Sequence, residues 1–474
     1  MESSRFREEL SALSPRIVAG LPLLLSTLLF YSAPNTLFVA SENMAFIELF
    51  SLINLIATIV CALVITLFAL RNTTLSRRVL LCVGLGCYLL GGASYCLLIL
   101  TGLSQTILVV ASAVINALGS LAVCLIWGRV CSRLHLRAAL VALASAVAAS
   151  AVLFWILLLL PETMRVVVFF LAMLSLAVLS WLEMRGSVSS HVGKTRNAPE
   201  DRGLAQVKSL AQIAGIPALG LAFFAFVVAV MRDQFLTSFN LYLVASIVVA
   251  AIIIVFVLLS LHTLTARGLQ LTFIPLFAVC VLTAASLQYQ LGLDEKLVML
   301  LLFVLYVCAA LLTLSTMTAV ANSGEFHPDI VFGSLVFLFT AASTAGQLVS
   351  RAVASTMVGS INIIATTLFS FIVICYAYVR WQKSTDISEP ADETASVVDS
   401  ETDGIQASCA KLAAKHGLTG REREILILLA YGHGGSYISE ALFISPSTSR
   451  THIRNIYRKL AVNSREDILR ITRE

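Results

Sequence analysis

The stretch LTGREREILILLAYGHGGSYISEALFISPSTSRTHIRNIYRKLAVNSRED, residues 418–467, is charged, compact and written in short helical periods. Thr419 stands three residues before Glu422. That is the spacing of a capping box, in which each side chain accepts from the other residue's backbone N–H. Ile425, Leu428 and Leu429 then recur at helical spacing, and Gly432 ends the helix. A second short helix carries Ile438, Ala441 and Leu442. Ser445 and Pro446 open a third, with a serine cap and a proline at the first helical position, where a missing N–H costs nothing. Ser464 with Asp467 caps a fourth, which bears Ile468, Leu469 and Ile471. Four short helices in about 55 residues, the second and third joined by a tight turn at 443–445, make a helix-turn-helix arrangement.

The third helix sorts its residues by face. Ser449, Ile453, Ile456 and Leu460 follow the i, i+4, i+7, i+11 row that packs inward. Arg450, Thr451, Arg454 and Arg458 fall about 100–200° away around the helix. A guanidinium grips guanine O6 and N7 with two hydrogen bonds, and a threonine methyl meets a thymine methyl. A solvated basic face has the same charge pattern, so the pattern alone leaves both readings open. Residues 411–474 carry about eleven bases against six acids, a suitable footprint for a polyanion.

The segment resembles the LuxR-type (GerE-like) helix-turn-helix, with the approximate pattern LTxREREVLxLLAxGxSNKEIAxxLxISxxTVKxHxxNIxxKLxVxSR. Leu418, Thr419, Arg421, Glu422, Glu424, Leu426, Gly432, Ile438, Ile444, Ser445, Thr448, His452, Asn455, Lys459, Ser464 and Arg465 are among the matching positions. The resemblance implies sequence-specific DNA binding, with base contacts from Arg450, Thr451 and Arg454 and backbone contacts from Thr448, His452 and Lys459. Arg458 joins them on the outward face. The family's last helix commonly forms a dimer interface, which makes Ile468 and Leu469 candidates for dimerisation; core packing is the alternative. Two positions depart from the pattern. GGSYIS (434–439) replaces SNKEIA, which loosens the start of the second helix with two glycines. Ser449 replaces an inward valine, and an unpaired hydroxyl there would cost roughly 1–2 kcal/mol.

The residues before this module are of another kind. The chain of 474 residues is 58% hydrophobic and 12% charged, with mean hydropathy +0.92 and net charge +5. Soluble domains carry about 25% charged residues, so most of this chain is expected to be solvated by lipid. Twelve apolar runs of about 20 residues fall at roughly 16–34, 46–70, 79–101, 106–128, 138–160, 165–183, 211–231, 239–261, 269–289, 297–320, 330–350 and 359–380. Each must be helical, because lipid cannot satisfy free backbone polar groups. No cleavable signal peptide is evident, since 1–16 mixes acids with bases before a long apolar run. With the N-terminus inside, the cytoplasmic loops hold about 17 Lys and Arg against 4 outside. An even span count then returns the C-terminus to the cytoplasm. This orientation implies a multi-pass protein of the cytoplasmic (inner) membrane with both termini on the cytoplasmic side.

The longest internal polar stretch, 185–208, divides the spans six and six. That layout resembles the major facilitator superfamily of transporters. Its signature loop, GxxxDRxGRR, reads RNTTLSRRV here (71–79), keeping Arg77 and Arg78 but neither the acid nor the glycines. No midspan chain of Asp, Glu and His appears. Both departures argue against active transport. Glu48, Arg232, Asp233 and Arg351 lie near span ends and are expected to reach an interface; Asn54, Asn116, Asn240, Gln347 and Asn362 either join helices by hydrogen bonds or line a ligand cavity. The ten cysteines are scattered through apolar runs without a metal-ligand spacing. No phosphate-cradling glycine loop or nucleophile constellation is present, so no enzyme activity, catalytic residue, metal or cofactor is expected.

From 384 to 404 the chain holds seven acids and no Lys or Arg, which reads as an acidic tether with a reach of roughly 25–30 Å. The expectation is an all-α chain: a polytopic bundle of about 12 transmembrane helices over 1–383, an acidic flexible linker over 384–407, and a four-helix LuxR-type domain over 408–474. The implied function is a membrane-bound one-component transcription regulator. Its partners would be DNA, the bilayer, an unidentified small-molecule ligand and a second copy of the chain on DNA. The alternative is a transporter of the major facilitator kind with a regulatory cytosolic head.

Overall fold

The computed structural model of the chain describes residues 13–32, 44–71, 73–101, 105–186, 204–259, 295–352, 401–462 and 464–473. All the regular structure among them is helical, and the chain divides into two compact units, an apolar bundle and a C-terminal head. The bundle helices are α1 (Pro15–Ser32), α2 (Met44–Leu70), α3 (Arg77–Thr101), α4 (Thr106–Cys131), α5 (Leu136–Leu158) and α6 (Glu162–Gly186). After them come α7 (Leu204–Val230), α8 (Phe239–Leu259), α9 (Glu295–Asn322) and α10 (Pro328–Ala352). These match ten of the twelve expected spans. The spans at 269–289 and 359–380, Asn362, and the tether up to residue 400 lie outside the described residues. Eight of the helices are long and apolar enough to cross a membrane, and α7, which contains Pro217, is a ninth when taken as one span. The apolar run of α1, Pro15–Leu29, is shorter.

Small residues let the helices approach closely, as membrane packing requires in the absence of a hydrophobic drive between helices. A Cβ on Gly119 of α4 would stand 2.2 Å from the Tyr88 nitrogen of α3, and one on Gly91 would stand 2.5 Å from the Cα of Asn116. Only glycine permits the α3–α4 contact at those two points. Large apolar side chains such as Val60, Leu90, Ile107 and Ile252 remain exposed on the outside, as a lipid-facing surface demands.

Polar groups join helices that are remote in sequence. Asn116 Nδ2 donates to Asn54 Oδ1 at 3.1 Å, so these two amides act as a link between α4 and α2. Asn240 is exposed. Gln347 Nε2 reaches Ser51 Oγ at 3.4 Å, and Arg351 approaches Glu48 at 3.6 Å, so α10 is tied to α2 near its C-terminal end. At the start of α10, Asp329 is buried and accepts from Arg129 Nε at 2.7 Å and Nη2 at 2.5 Å. The same Nη2 donates to the Leu75 carbonyl at 2.9 Å. Arg129, one of the loop bases that favour the cytoplasmic side, thus clamps α4, α10 and the loop before α3 together.

The head holds five helices: α11 (Glu401–Lys415), α12 (Gly420–Ala430), α13 (Gly435–Ala441), α14 (Pro446–Leu460) and α15 (Arg465–Arg473). The last four are those expected. The first begins inside the stretch read as tether. Its Cys409 is fully buried with Ile425, Leu426, Leu429, Ile438, Ile444, Ile456, Leu460 and Ile468. Burial pushes the Cys409 thiol up to about 11, so it serves as a small packing group rather than a reactive thiol. Each fully buried leucine or isoleucine contributes about 1.5–3 kcal/mol, and this shared core makes the head a folding unit of its own.

Candidate nucleic-acid interface

The head is assembled around α12. Its cap is a complete box: Glu422 N–H donates to Thr419 Oγ1 at 3.2 Å, and Thr419 N–H donates to Glu422 Oε2 at 2.8 Å. The same carboxylate oxygen accepts from Lys459 Nζ at 2.6 Å, and Lys459 also donates to the Gly417 carbonyl. Burial alone would raise the Glu422 carboxyl, but the Lys459 ammonium and the Thr419 groups outweigh it and hold the carboxyl below its usual value. Lys459 is therefore committed to fastening α14 to α12, whatever else it meets. Arg421 pairs with Glu424 and donates to the Leu442 carbonyl at 2.6 Å, which fixes the turn between α13 and α14. In that turn Phe443 takes φ 54°, a left-handed conformation, while its side chain is buried.

The helix α14 opens as expected. Ser445 Oγ accepts from Thr448 N–H at 3.2 Å and donates to Thr448 Oγ1 at 2.9 Å, with Pro446 at the helix start. Its faces divide cleanly. Ser449, Ile456 and Leu460 are buried and Ile453 is half-buried; Arg450, Thr451, Arg454 and Arg458 are exposed. The three arginines have no hydrogen bond or ion pair among the described residues. Thr451 Oγ1 donates back to the Ser447 carbonyl at 3.0 Å, which leaves its methyl outward. Thr448 and His452 are half-buried at the margin of this face. Three unpaired guanidinium groups and a methyl on one exposed helix face supply the chemistry that reads base edges in a major groove.

The two departures from the LuxR-type pattern compensate each other. Ser449 Oγ donates to the Gly435 carbonyl at 3.1 Å, so its hydroxyl is satisfied and the expected 1–2 kcal/mol penalty does not arise. The start of α13 is tied rather than loose: that bond holds Gly435, and His433 stacks on Tyr437 with ring centroids 3.8 Å apart. In α15, Ile468 is fully buried in the head core and so offers no surface to a second copy, whereas Leu469 stays half-exposed. Ser464 and Asp467 cap the helix reciprocally at 3.2 Å.

The family model described as "Bacterial regulatory proteins, luxR family" matches residues 416–472. Those residues are a LuxR-type helix-turn-helix domain. The LuxR-type domain is 46% identical over 48 residues to the CsgBAC operon transcriptional regulatory protein of Escherichia coli (strain K12), covering 10% of this chain and 22% of that protein. It is also 46% identical over 50 residues to the transcriptional regulatory protein DegU of Brevibacillus brevis, covering 10% and 21%. The chain thus spans about a fifth of the length of these relatives. The structure of the human organic anion transporter MFSD10 (TETRAN) aligns with TM-score 0.50 and 17% identity, covering 77% of this chain and 99% of that one. The bundle is similar in fold to that transporter. A LuxR-type DNA-binding domain is fused to a multi-pass membrane domain in one chain.

Proposed function

We propose that the chain is a membrane-bound one-component transcription regulator. Its bundle responds to a small molecule or to a state of the membrane, and its LuxR-type head binds a specific DNA site on the cytoplasmic side. The observation that carries this reading is the exposed face of α14, where Arg450, Arg454 and Arg458 have no partner among the described residues and Thr451 stands exposed beside them. The loop charge bias supports a cytoplasmic head and an inner-membrane location. Control of dimerisation suffices as an output, because two weak heads held together gain affinity through effective concentration. Leu469 is the better placed of the two dimer candidates.

The test uses residues 401–474, so that α11 is retained. This fragment binds a pseudo-palindromic duplex, and Arg450→Ala with Arg454→Ala abolishes binding at moderate salt while the fragment stays folded. Unchanged affinity in the double variant would overturn the reading. The transporter alternative is favoured only by the fold of the bundle, which hosts many functions. It requires substrate flux in proteoliposomes that persists when 384–474 is deleted.

A further inference from the structure

The bundle has a feature that neither DNA binding nor the ties between its helices uses. The facing sides of α2, α3 and α4 leave a lateral groove of about 300 Å3. Leu80 and Leu121 lie in its floor and are buried, while Val60, Val64 and Val83 form exposed walls. The π-helical turn at Leu80–Gly84 interrupts α3 there, and a Cβ on Gly84 would stand 2.5 Å from that of Ala122, so α3 rests directly on α4 beneath the groove. Every lining residue is apolar apart from two cysteine thiols. The volume lies at the lower end of the roughly 300–1,000 Å3 seen for small-molecule sites, but this groove lacks the polar groups that orient such ligands.

Charged residues adjoin one end of it in the chain. Leu75 and Val79 line the groove, and the chain around them carries Arg71, Arg77 and Arg78. Arg77 is half-buried and the other two are exposed. None of the three guanidinium groups has a partner among the described residues. The bundle's other described arginines all have one, Asp329 for Arg129 and Trp181 for Arg185 among them. Unpaired cations next in the chain to the residues that line one end of an apolar groove complement one kind of molecule, an anion carrying a hydrocarbon chain. That end is also held in place from within, since the Leu75 carbonyl accepts from Arg129.

We propose that this groove binds an anionic phospholipid, with an acyl chain between α2, α3 and α4 and the headgroup phosphate on Arg77 and Arg78, Arg71 contributing from the end of α2. The site stands apart from the DNA-binding reading. The test is native mass spectrometry of the detergent-solubilised full chain, titrated with phosphatidylglycerol and with phosphatidylcholine of the same chains. Two surface arginines correspond to a preference of about thirtyfold for phosphatidylglycerol. Arg77→Gln with Arg78→Gln removes that preference, and Arg77→Lys with Arg78→Lys retains it. Val64→Trp, which fills the groove from an exposed position, weakens phosphatidylglycerol binding with the arginines intact. Arg78→Gln alone, at an exposed and unpartnered side chain, moves the preference in the same direction by a smaller factor, so the result does not depend on the double variant folding. Equal retention of the two lipids, or an unchanged preference in the glutamine variants, overturns the proposal. So does equal competition by glycerophosphoglycerol, which carries the headgroup without chains and would mark a site for a soluble phosphate.

Discussion

Lys459 and Arg454 lie on the same helix, and both are cations that a polyanion would attract, yet the structure gives them opposite consequences. Lys459→Met keeps the stem of the side chain and deletes the ammonium. Glu422, only 4% exposed, then loses the cation bonded at 2.6 Å, and the Gly417 carbonyl loses its donor. Removing one partner of a fully buried pair costs about 3–5 kcal/mol. Lys459 is 29% exposed and Glu422 keeps its bond from Thr419, so the loss falls nearer the value for a charged hydrogen bond, about 2 kcal/mol. For a domain of this size that lowers the melting temperature by about 8–16 °C. Arg454→Ala removes an exposed, unpartnered side chain and changes stability by no more than about 0.5 kcal/mol. It removes a base contact instead, which lowers affinity for the cognate duplex by about 1–3 kcal/mol, or 5–150-fold. The assay is circular dichroism melting of fragment 401–474 together with fluorescence anisotropy titration of a duplex selected from a random pool, at two salt concentrations. If Lys459→Met melts like the parent but lowers the salt slope by about one, Lys459 is a phosphate contact and the structural argument fails. If Arg454→Ala melts early, the free outward face is wrong.

Three further outcomes follow from particular contacts. The Glu422 carboxyl is held below its ordinary value, so its pairing stabilises the head above a pH of about 4.5 and that contribution is lost as pH falls through the folded-state value. Glu422→Gln therefore melts lower at pH 7 and shows a flatter loss of stability between neutral and acid pH; parallel pH profiles for the two proteins would refute this. Ser449→Val restores the residue usual in LuxR-type domains yet destabilises this head by about 0.5–1.5 kcal/mol, because the Gly435 carbonyl loses its bond at 3.1 Å. A rise in melting temperature would show that the valine packs better than the hydroxyl bonds. Asp329→Asn breaks a charge pair whose acid is 1% exposed, with a ceiling of about 3–5 kcal/mol reduced by the 18% exposure of Arg129. Tryptophan-fluorescence melting of the full chain in detergent should fall by several degrees, and an unchanged midpoint would mean that the clamp contributes nothing.

What could be read from the sequence was what repeats or lies close along the chain. The apolar runs are read from composition, and the caps at Thr419, Ser445 and Ser464 and the two faces of α14 from spacings shorter than about a dozen residues; the described residues show ten of the twelve runs, all three caps and both faces. The Arg129–Asp329 clamp could not be found this way. Its partners are 200 residues apart, the arginine doubles as a topological charge, and the acid beside Pro328 looks like an ordinary helix-start residue. The Ser449 and Gly435 departures were each a defect when taken singly, because a family pattern scores positions one at a time; the hydrogen bond between them makes them one feature. The helix α11 was hidden by composition, since Glu401, Asp403 and Gly404 continue the acidic stretch before it. A signal for it was nevertheless present: Ile405, Cys409, Leu412 and Ala413 recur at helical spacing, and they pack on or into the head core. The head therefore begins before the LuxR-type match at residue 416, because α11 supplies Cys409 to the same core as Ile425, Ile456 and Ile468.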